Sequence, residues 1–279
     1  MPEFITLPHG DGYVASARWW PPAGERTRGA VLYLHGIQSH GEWFERSGTR
    51  LAEAGLAVLM PDRRGSGRND RDRGHAPSAA RLVADAGEWL DELVRRSGRA
   101  TATVIGVSWG GKLALALYRA RQPQVGSLAL VAPGLFPLVD LRPVEKIQVA
   151  LALLANRRRP FRIPITEPEM FTANPERIAY IRDDALSLHD VTASFLVASR
   201  RLDRQLRSAA RWPGVPTHLF LAEHDRIIDN VSTRQWLHEL PWPDRTITEY
   251  RDASHTLEFE PDGAPFIGDL AAWVSGVGG

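Results

Sequence analysis

Residues 102–111 read Ala-Thr-Val-Ile-Gly-Val-Ser-Trp-Gly-Gly (ATVIGVSWGG). An apolar, β-branched run leads straight into Gly106-Val107-Ser108-Trp109-Gly110, a G-x-S-x-G pattern, and the apolar spacing from Gly110 to Arg121 is helical. A strand that turns at once into a helix leaves one residue on a sharp, strained bend with its side chain lifted clear of the sheet. Bulk on either side of that bend would clash, and Gly106 and Gly110 supply the lack of it, with Gly111 adding room for the helix to pack. The first turn of the helix aims backbone N–H groups and its positive dipole end at the same point. Ser108 is therefore a candidate nucleophile.

Further apolar runs flank this one: Ala30–Leu34, Ala57–Met60, Ser127–Val131 and Thr217–Ala222, each ending at Gly, Pro, Asp or Ser, and Thr246–Tyr250 reads as another strand. Short continuous apolar runs are what parallel strands buried on both faces look like. Helical patterns stand between them, as at Ala79–Arg96, so the class is α/β, with chemistry gathered at the carboxyl ends of the strands. From Gly134 to Arg211 no buried-strand run occurs, and the stretch reads as helices separated by joints at Pro160, Pro164, Pro168 and Pro175. The expected organisation is a sheet domain in two pieces, 1–133 and 212–279, interrupted by a helical insertion over 134–211.

A serine hydroxyl needs a base, and the base needs an orienting carboxylate. In an α/β protein with this bend the chain order is Ser, then Asp or Glu, then His. Asp225 lies just past the Thr217–Ala222 strand, and His255 lies in the loop after Thr246–Tyr250, before a helical stretch at Ala264–Val274. Both loops fall at the same sheet edge as Ser108. Asp229 and Asp252 compete with Asp225 for the acid, and His224 competes with His255 for the base. His218 and His238 fall within a strand and a helix, where structural roles are expected. Near the N-terminus, Leu34-His35-Gly36-Ile37 follows a strand, and its turn can aim a backbone N–H at the site. The expected oxyanion donors are the main-chain N–H groups of Ile37 and Trp109. Gly36 keeps that turn open, and His35 braces it. Candidate pocket residues are His40, Leu135 and Phe136.

With these elements in place the chain resembles the monoacylglycerol lipases and bacterial lysophospholipases, serine enzymes of the α/β-hydrolase fold with a helical cap. The resemblance rests on LHGIQSHGEWF (34–44), PDRRGSGRND (61–70), GVSWGG (106–111), LAEHDRIID (221–229) and DASHTLEFE (252–260). It extends to ITEPEMFTANPERIAYIRDDALSLHD (165–190), with Asp-Ala-Leu where Asp-Pro-Leu is usual. Ser66 stands where a second histidine is common, Asn69 where a serine is common, and Trp109 where a medium apolar residue is frequent. The resemblance implies a mostly parallel central sheet flanked by helices, a cap inserted after the sixth strand, and hydrolysis of carboxylic esters through an acyl-enzyme. Thioesterases, carbon–carbon bond hydrolases, acyltransferases, perhydrolases and peptidases use the same triad. A ligand-binding protein that keeps only the pocket is the reading from another class, and it would be expected to lack a triad member.

Composition narrows the partners. A formal net charge of +1 gives no electrostatic footprint for nucleic acid, and the absence of cysteine removes disulfides, thiolate metal sites and a cysteine nucleophile. No metal or organic cofactor is implied, and the expected partner is a small ester or lipid-like substrate. Without a basic, then apolar leader or an apolar run of about 18 residues, the expectation is a cytoplasmic protein with no transmembrane segment. Val144–Ala155 is a strongly apolar helical run followed by Asn156 and three arginines. It reads as a cap helix lining an acyl channel, as an ordinary packed helix, or as a peripheral membrane contact. Oligomeric state has no signature in the sequence.

Overall fold

The computed structural model describes residues 1–24, 27–206, 209–261 and 263–277, so parts of all three expected segments (25, 26, 207, 208, 262, 278 and 279) lie outside the described residues. In chain order the strands are β1 (Glu3–Pro8), β2 (Val14–Trp20), β3 (Gly29–Leu34), β4 (Leu56–Pro61), β5 (Ala102–Val107), β6 (Val125–Val131), β7 (Pro160–Arg162), β8 (Asp190–Thr192), β9 (Thr217–Ala222) and β10 (Arg245–Tyr250). The α-helices are α1 (Glu45–Glu53), α2 (Ala79–Ser97), α3 (Trp109–Ala120), α4 (Pro143–Ala155), α5 (Pro175–Asp183), α6 (Ala193–Leu206), α7 (Asn230–Glu239) and α8 (Ala264–Val277).

Eight strands form one sheet in the order β1-β2-β4-β3-β5-β6-β9-β10. β1 and β2 pair antiparallel, as do β2 and β4, and every other neighbour is parallel. This is the α/β-hydrolase architecture, a mostly parallel sheet flanked by helices. β3, β4, β5 and β9 are buried at every residue, which is why their sequences are continuous apolar runs. Each Val, Leu or Ile removed from water there contributes roughly 1.5–3 kcal/mol. β1 and β10 are the sheet edges, and their burial is partial. Helices α2 and α3 pack on each other, α1 packs on α8, and α6 rests on both α2 and α3. Local signals set the helix ends: Ser78 accepts a hydrogen bond from the Arg81 N–H at the start of α2, and Gly98 closes it at φ 68°.

Between β6 and β9 the chain leaves the sheet and builds α4, α5 and α6. The expectation of helices alone needs a correction here. β7 and β8 form a small antiparallel ribbon with Phe161 opposite Val191. Three-residue strands next to a proline are too short to show a period-two pattern, so the ribbon left no trace in the sequence.

At the start of α3 the backbone packs too closely to admit a side chain. A Cβ on Gly110 would stand 2.2 Å from the Leu34 carbonyl oxygen and 2.7 Å from that of His35. One on Gly106 would stand 2.7 Å from Gly111 Cα. By contrast, a Cβ on Gly268, in the middle of α8, would meet nothing within 4 Å. Gly110→Ala is expected to destabilise the protein by about 3 kcal/mol or more. Gly268→Ala should be neutral or stabilise it by up to about 1 kcal/mol. Urea midpoints for the two variants and the parent check this, and equal midpoints for Gly110→Ala and the parent would refute the packing argument.

Candidate active site

Ser108 sits between the last residue of β5 and the first of α3 with φ 51° and ψ −122°, a conformation that a side chain disfavours. Such strain costs of order 1–3 kcal/mol and persists only where the surroundings impose it. Here they do. The Ser108 N–H donates to the Val131 carbonyl at 2.9 Å, and its own carbonyl accepts from Gly111 at 2.9 Å and Gly134 at 2.7 Å. The bend is thereby tied to β6, to the helix that follows and to the chain leaving the sheet.

The loops after β9 and β10 bring Asp225 and His255 to the serine. His255 Nε2 accepts from Ser108 Oγ at 2.9 Å, and His255 Nδ1–H donates to Asp225 Oδ2 at 2.7 Å. Both side chains are buried, at 2 % and 0 % exposure. The other Asp225 oxygen accepts from the backbone N–H groups of Ile227 and Ile228, at 2.8 and 3.0 Å, so the carboxylate cannot swing away. The residue after the histidine, Thr256, donates its N–H to the Phe171 carbonyl at 2.7 Å, pinning the loop to the insertion. The competitors stand elsewhere. Asp229 caps α7 through Ser232, and Asp252 lies 3.6 Å from the exposed His224. His218 stacks on Phe220, and His238 lies on α7.

The loop after β3 presents the Ile37 N–H, which takes part in none of that loop's backbone hydrogen bonds. The Trp109 N–H heads α3, beyond the reach of intrahelical acceptors. Gly36 lies so close that a Cβ there would be 3.3 Å from Ser108 Cβ. His35 braces the turn: Nδ1–H donates to the Gly36 carbonyl at 2.8 Å, and Nε2 accepts from the Arg63 N–H at 2.9 Å. Burial holds the His35 imidazole well below its usual pKa, which keeps it neutral and able to make both bonds.

Several residues that organise this loop lie in stretches that the sequence marks only by resemblance, with no role assigned to them. Arg63 is one: its guanidinium donates to the carbonyls of Gly36 and Ile37 at 2.9 and 3.0 Å and stacks over Trp109. Burial pushes it down to about 9, which still leaves it charged at neutral pH. Asp62 accepts from the Gly41 N–H at 2.8 Å and contacts Arg18. Asp184 of the insertion accepts from His40 Nε2–H, Trp43 Nε1–H and Ser187 Oγ–H, each at 2.8 Å. Burial alone would raise the Asp184 carboxyl, but these three donors outweigh it and hold it well below the usual range. A polar residue whose role depends on partners some twenty to a hundred and forty positions away shows that role in no local pattern.

Beside Ser108 a cavity of about 380 Å³ opens between the sheet and the insertion. Ile37, Trp109, Val149 of α4, Leu196 of α6 and Ile228 line it. None of the three residues expected in a pocket is on that wall. His40 is fully buried against Asp184, Leu135 belongs to the core, and Phe136 packs against the core between wall residues Gly134 and Pro137. The Trp109 indole forms wall, held by a hydrogen bond from Nε1–H to Ser199 Oγ at 2.9 Å and a tilted contact with Phe195.

Comparison with known proteins places this geometry. Residues 25–262 match the family described as "serine aminopeptidase, S33". A monoacylglycerol lipase from Mycolicibacterium smegmatis is 26% identical over 259 residues, spanning 91% of this chain and 90% of that protein. The crystal structure of a monoacylglycerol lipase from Paleococcus ferrophilus superposes with a TM-score of 0.79 at 22% identity, covering 94% of this chain and 99% of the other. A soluble variant of the Saccharomyces cerevisiae monoglyceride lipase, in complex with a substrate analog, gives 0.84 at 18% identity over 100% and 96%. At those identities the two structures speak for the fold.

One buried acid near the histidine has a measurable consequence. Glu258 accepts from the Ser47 N–H at 3.0 Å and pairs with Ser47 Oγ at 2.5 Å, fastening the His255 loop to the first turn of α1. Complete burial raises its carboxyl from the ordinary 4.5 to about 7, against the lowering effect of Ser47. The native protein therefore keeps this proton at pH values where the unfolded chain has lost it. The stability from this group is fully present below about pH 4.5 and is lost as pH rises to about 7, a swing of about 3 kcal/mol. Glu258→Gln should remove that swing. Urea titrations of both proteins at pH 5 and pH 7.5 measure it, and parallel pH profiles would contradict the assignment.

Proposed function

The chain belongs to the serine aminopeptidase family of hydrolases, and from that membership we propose that Ser108, His255 and Asp225 hydrolyse carboxylic esters through an acyl-enzyme. The observation that carries this reading is the unbroken relay from Ser108 Oγ through the imidazole to Asp225. Ser108 Oγ attacks the ester carbonyl carbon while His255 Nε2 takes its proton. Asp225 holds the Nδ1–H tautomer and stabilises the imidazolium. The Ile37 and Trp109 N–H groups receive the charge that develops on the carbonyl oxygen, as an oxyanion hole. Collapse of the tetrahedral adduct expels the alcohol, which takes the proton from Nε2. Water, deprotonated by the same nitrogen, then releases the acid and restores the serine.

The two sides of the serine divide the substrate. His255 must hand its proton to the leaving alcohol, so the alcohol lies on the histidine's side. The large cavity is lined by Ser108 and both proposed donor residues but not by His255, so it takes the acyl part. Residues 134–211 act as a cap that closes this acyl site. Its apolar wall suits a lipid-like ester such as a monoacylglycerol or lysophospholipid, in keeping with the names its relatives carry. Peptide substrates with a free N-terminus fit less well. Among the described residues the wall's charged side chains are Lys112, Lys146 and Arg200 against Asp140 and Asp203, a positive balance that disfavours an ammonium.

A lipid substrate also suits the outer face of α4. Val144, Ile147, Leu151 and Leu154 recur there at helical spacing and are all more than half exposed. Among the described residues no helix is long and apolar enough to cross a membrane, so such contact would be peripheral. Of the basic run that follows α4, Arg158 is spent on Asp72 and Arg159 lies over Phe161. The apolar stripe is therefore expected to supply most of the affinity. Flotation with phosphatidylcholine vesicles should recover the parent and lose Leu151→Asp/Leu154→Asp, and no recovery of the parent removes this contact.

For the chemistry itself, a fluorophosphonate probe should label the parent at Ser108 and leave Ser108→Ala unlabelled. Asp225→Asn, which disturbs the tautomer while keeping the shape, should lower kcat on p-nitrophenyl butyrate by about 10⁴. Equal labelling of Ser108→Ala, or full turnover by Asp225→Asn, would overturn the assignment.

A further inference from the structure

At one end the otherwise apolar acyl cavity is lined by five charged side chains: Lys112, Lys146 and Arg200 with Asp140 and Asp203. Lys112 is the innermost, with only 8 % of its side chain exposed, and it sits 2.6 Å from Asp203. Arg200 and Lys146 each lie 2.6 Å from Asp140, and both are about half exposed, so they form the rim. Among the described residues, three cations against two carboxylates leave one positive charge in excess.

Position makes this cluster relevant to the reaction. Lys112 lies on α3 four residues after Ser108, so one helical turn of about 6 Å separates their attachment points. The ammonium carries three donors, and one contact is spent on Asp203, which leaves donors for a guest. A buried ion pair is rarely a net source of stability, since apolar side chains of similar volume do as well or better. As a lining for a plain alkyl chain, a lysine here is a poor choice. Facing a carboxylate, the same group is both solvated and neutralised.

We propose that this end of the cavity is a carboxylate subsite and that the preferred acyl group carries a terminal carboxylate, making the substrate a monoester of a medium-chain dicarboxylic acid. Lys112 supplies the inner contact, and Arg200, with its planar fork of donors, supplies the outer one. The single excess charge matches a monoanion. The inference rests on the ester-hydrolase reading of Ser108 and adds the class of acyl group to it.

The test compares kcat/KM for three methyl esters of equal chain length: monomethyl suberate, its terminal carboxamide, and methyl octanoate. The carboxylate should be favoured over the carboxamide, its neutral isostere, by about tenfold or more at low salt. That ratio should shrink as salt screens the rim cations. In Lys112→Met, and separately in Lys146→Gln/Arg200→Gln, it should fall towards one. The double variant alters only half-exposed side chains, so it keeps the test alive if Lys112→Met fails to fold. Because each ratio is taken within a single protein, a general loss of activity does not move it. A parent that cleaves a neutral ester as well as or better than the carboxylate overturns the subsite alone, as does a ratio unchanged in the variants. Failure on all three esters overturns the hydrolase reading and the subsite with it.

Discussion

The close approach of α3 to the ends of β3 and β5 is the constraint from which the rest of the site follows. Gly110 lies against the Leu34 and His35 carbonyls with no space for a methyl group, and Gly106 lies against Gly111 in the same way. That contact fixes where the helix begins. It thereby holds Ser108 in its strained conformation and sets the Trp109 N–H at the head of the helix beside it. A looser helix start would let Ser108 relax to an ordinary backbone conformation and draw its Oγ away from His255. The strain is thus balanced by three backbone hydrogen bonds and by packing that leaves no alternative.

Around that fixed point, long-range polar contacts hold loops that have no regular structure of their own. Arg63 ties down the carbonyls of Gly36 and Ile37, which fixes the backbone of the loop after β3. Asp184 gathers His40, Trp43 and Ser187, and Gln38 donates to the Ile165 carbonyl at 2.7 Å. Glu258 locks the histidine loop onto α1. Each is a buried charge or dipole held by the partners named, although Arg63 Nε and His40 Nδ1 make no hydrogen bond, and such contacts order loops that have no regular structure. Two of these ties, through Asp184 and Gln38, run between the body and the insertion, so the loop after β3 and the insertion hold each other in place.

How much of this was legible in the sequence depended on how local each signal was. The parallel strands announced themselves because burial on both faces demands continuous apolar runs. β1 and β2 did not, since an antiparallel edge pair carries a mixed pattern. Ser108, Asp225 and His255 could be ordered because each follows a strand whose end was visible, and strand ends on one edge of a parallel sheet converge. Asp225 could be preferred over Asp229 only by chain order, and the structure brings it to the imidazole while Asp229 caps α7. His40, Leu135 and Phe136 were placed in a pocket because they flank the right loops, and flanking does not fix the direction of a side chain. Arg63, Asp184 and Glu258 lie in stretches that resemble the family's, but nothing local in those stretches shows which distant partners they hold.

Chemistry and most of the cavity wall have separate sources in this fold, and Ser108, Ile37 and Trp109 belong to both. Every atom proposed to move a proton or hold the oxyanion sits at a strand end or in the loop beyond it, whereas α4, α6 and the chain around Ile163–Ile165 build the facing wall of the cavity. The insertion can therefore vary in shape and charge along the cavity wall while the relay stays fixed, provided its ties through Phe171, Ile165 and Asp184 are kept. Trp109 joins the two halves. Its backbone N–H belongs to the strained helix start, and its indole is wall, hydrogen-bonded to Ser199 on α6. A smaller side chain there would widen the cavity and free α6 while leaving the N–H where the packing of Gly110 puts it. The width of the acyl site and the stabilisation of the oxyanion are for that reason separable, although Trp109 serves both.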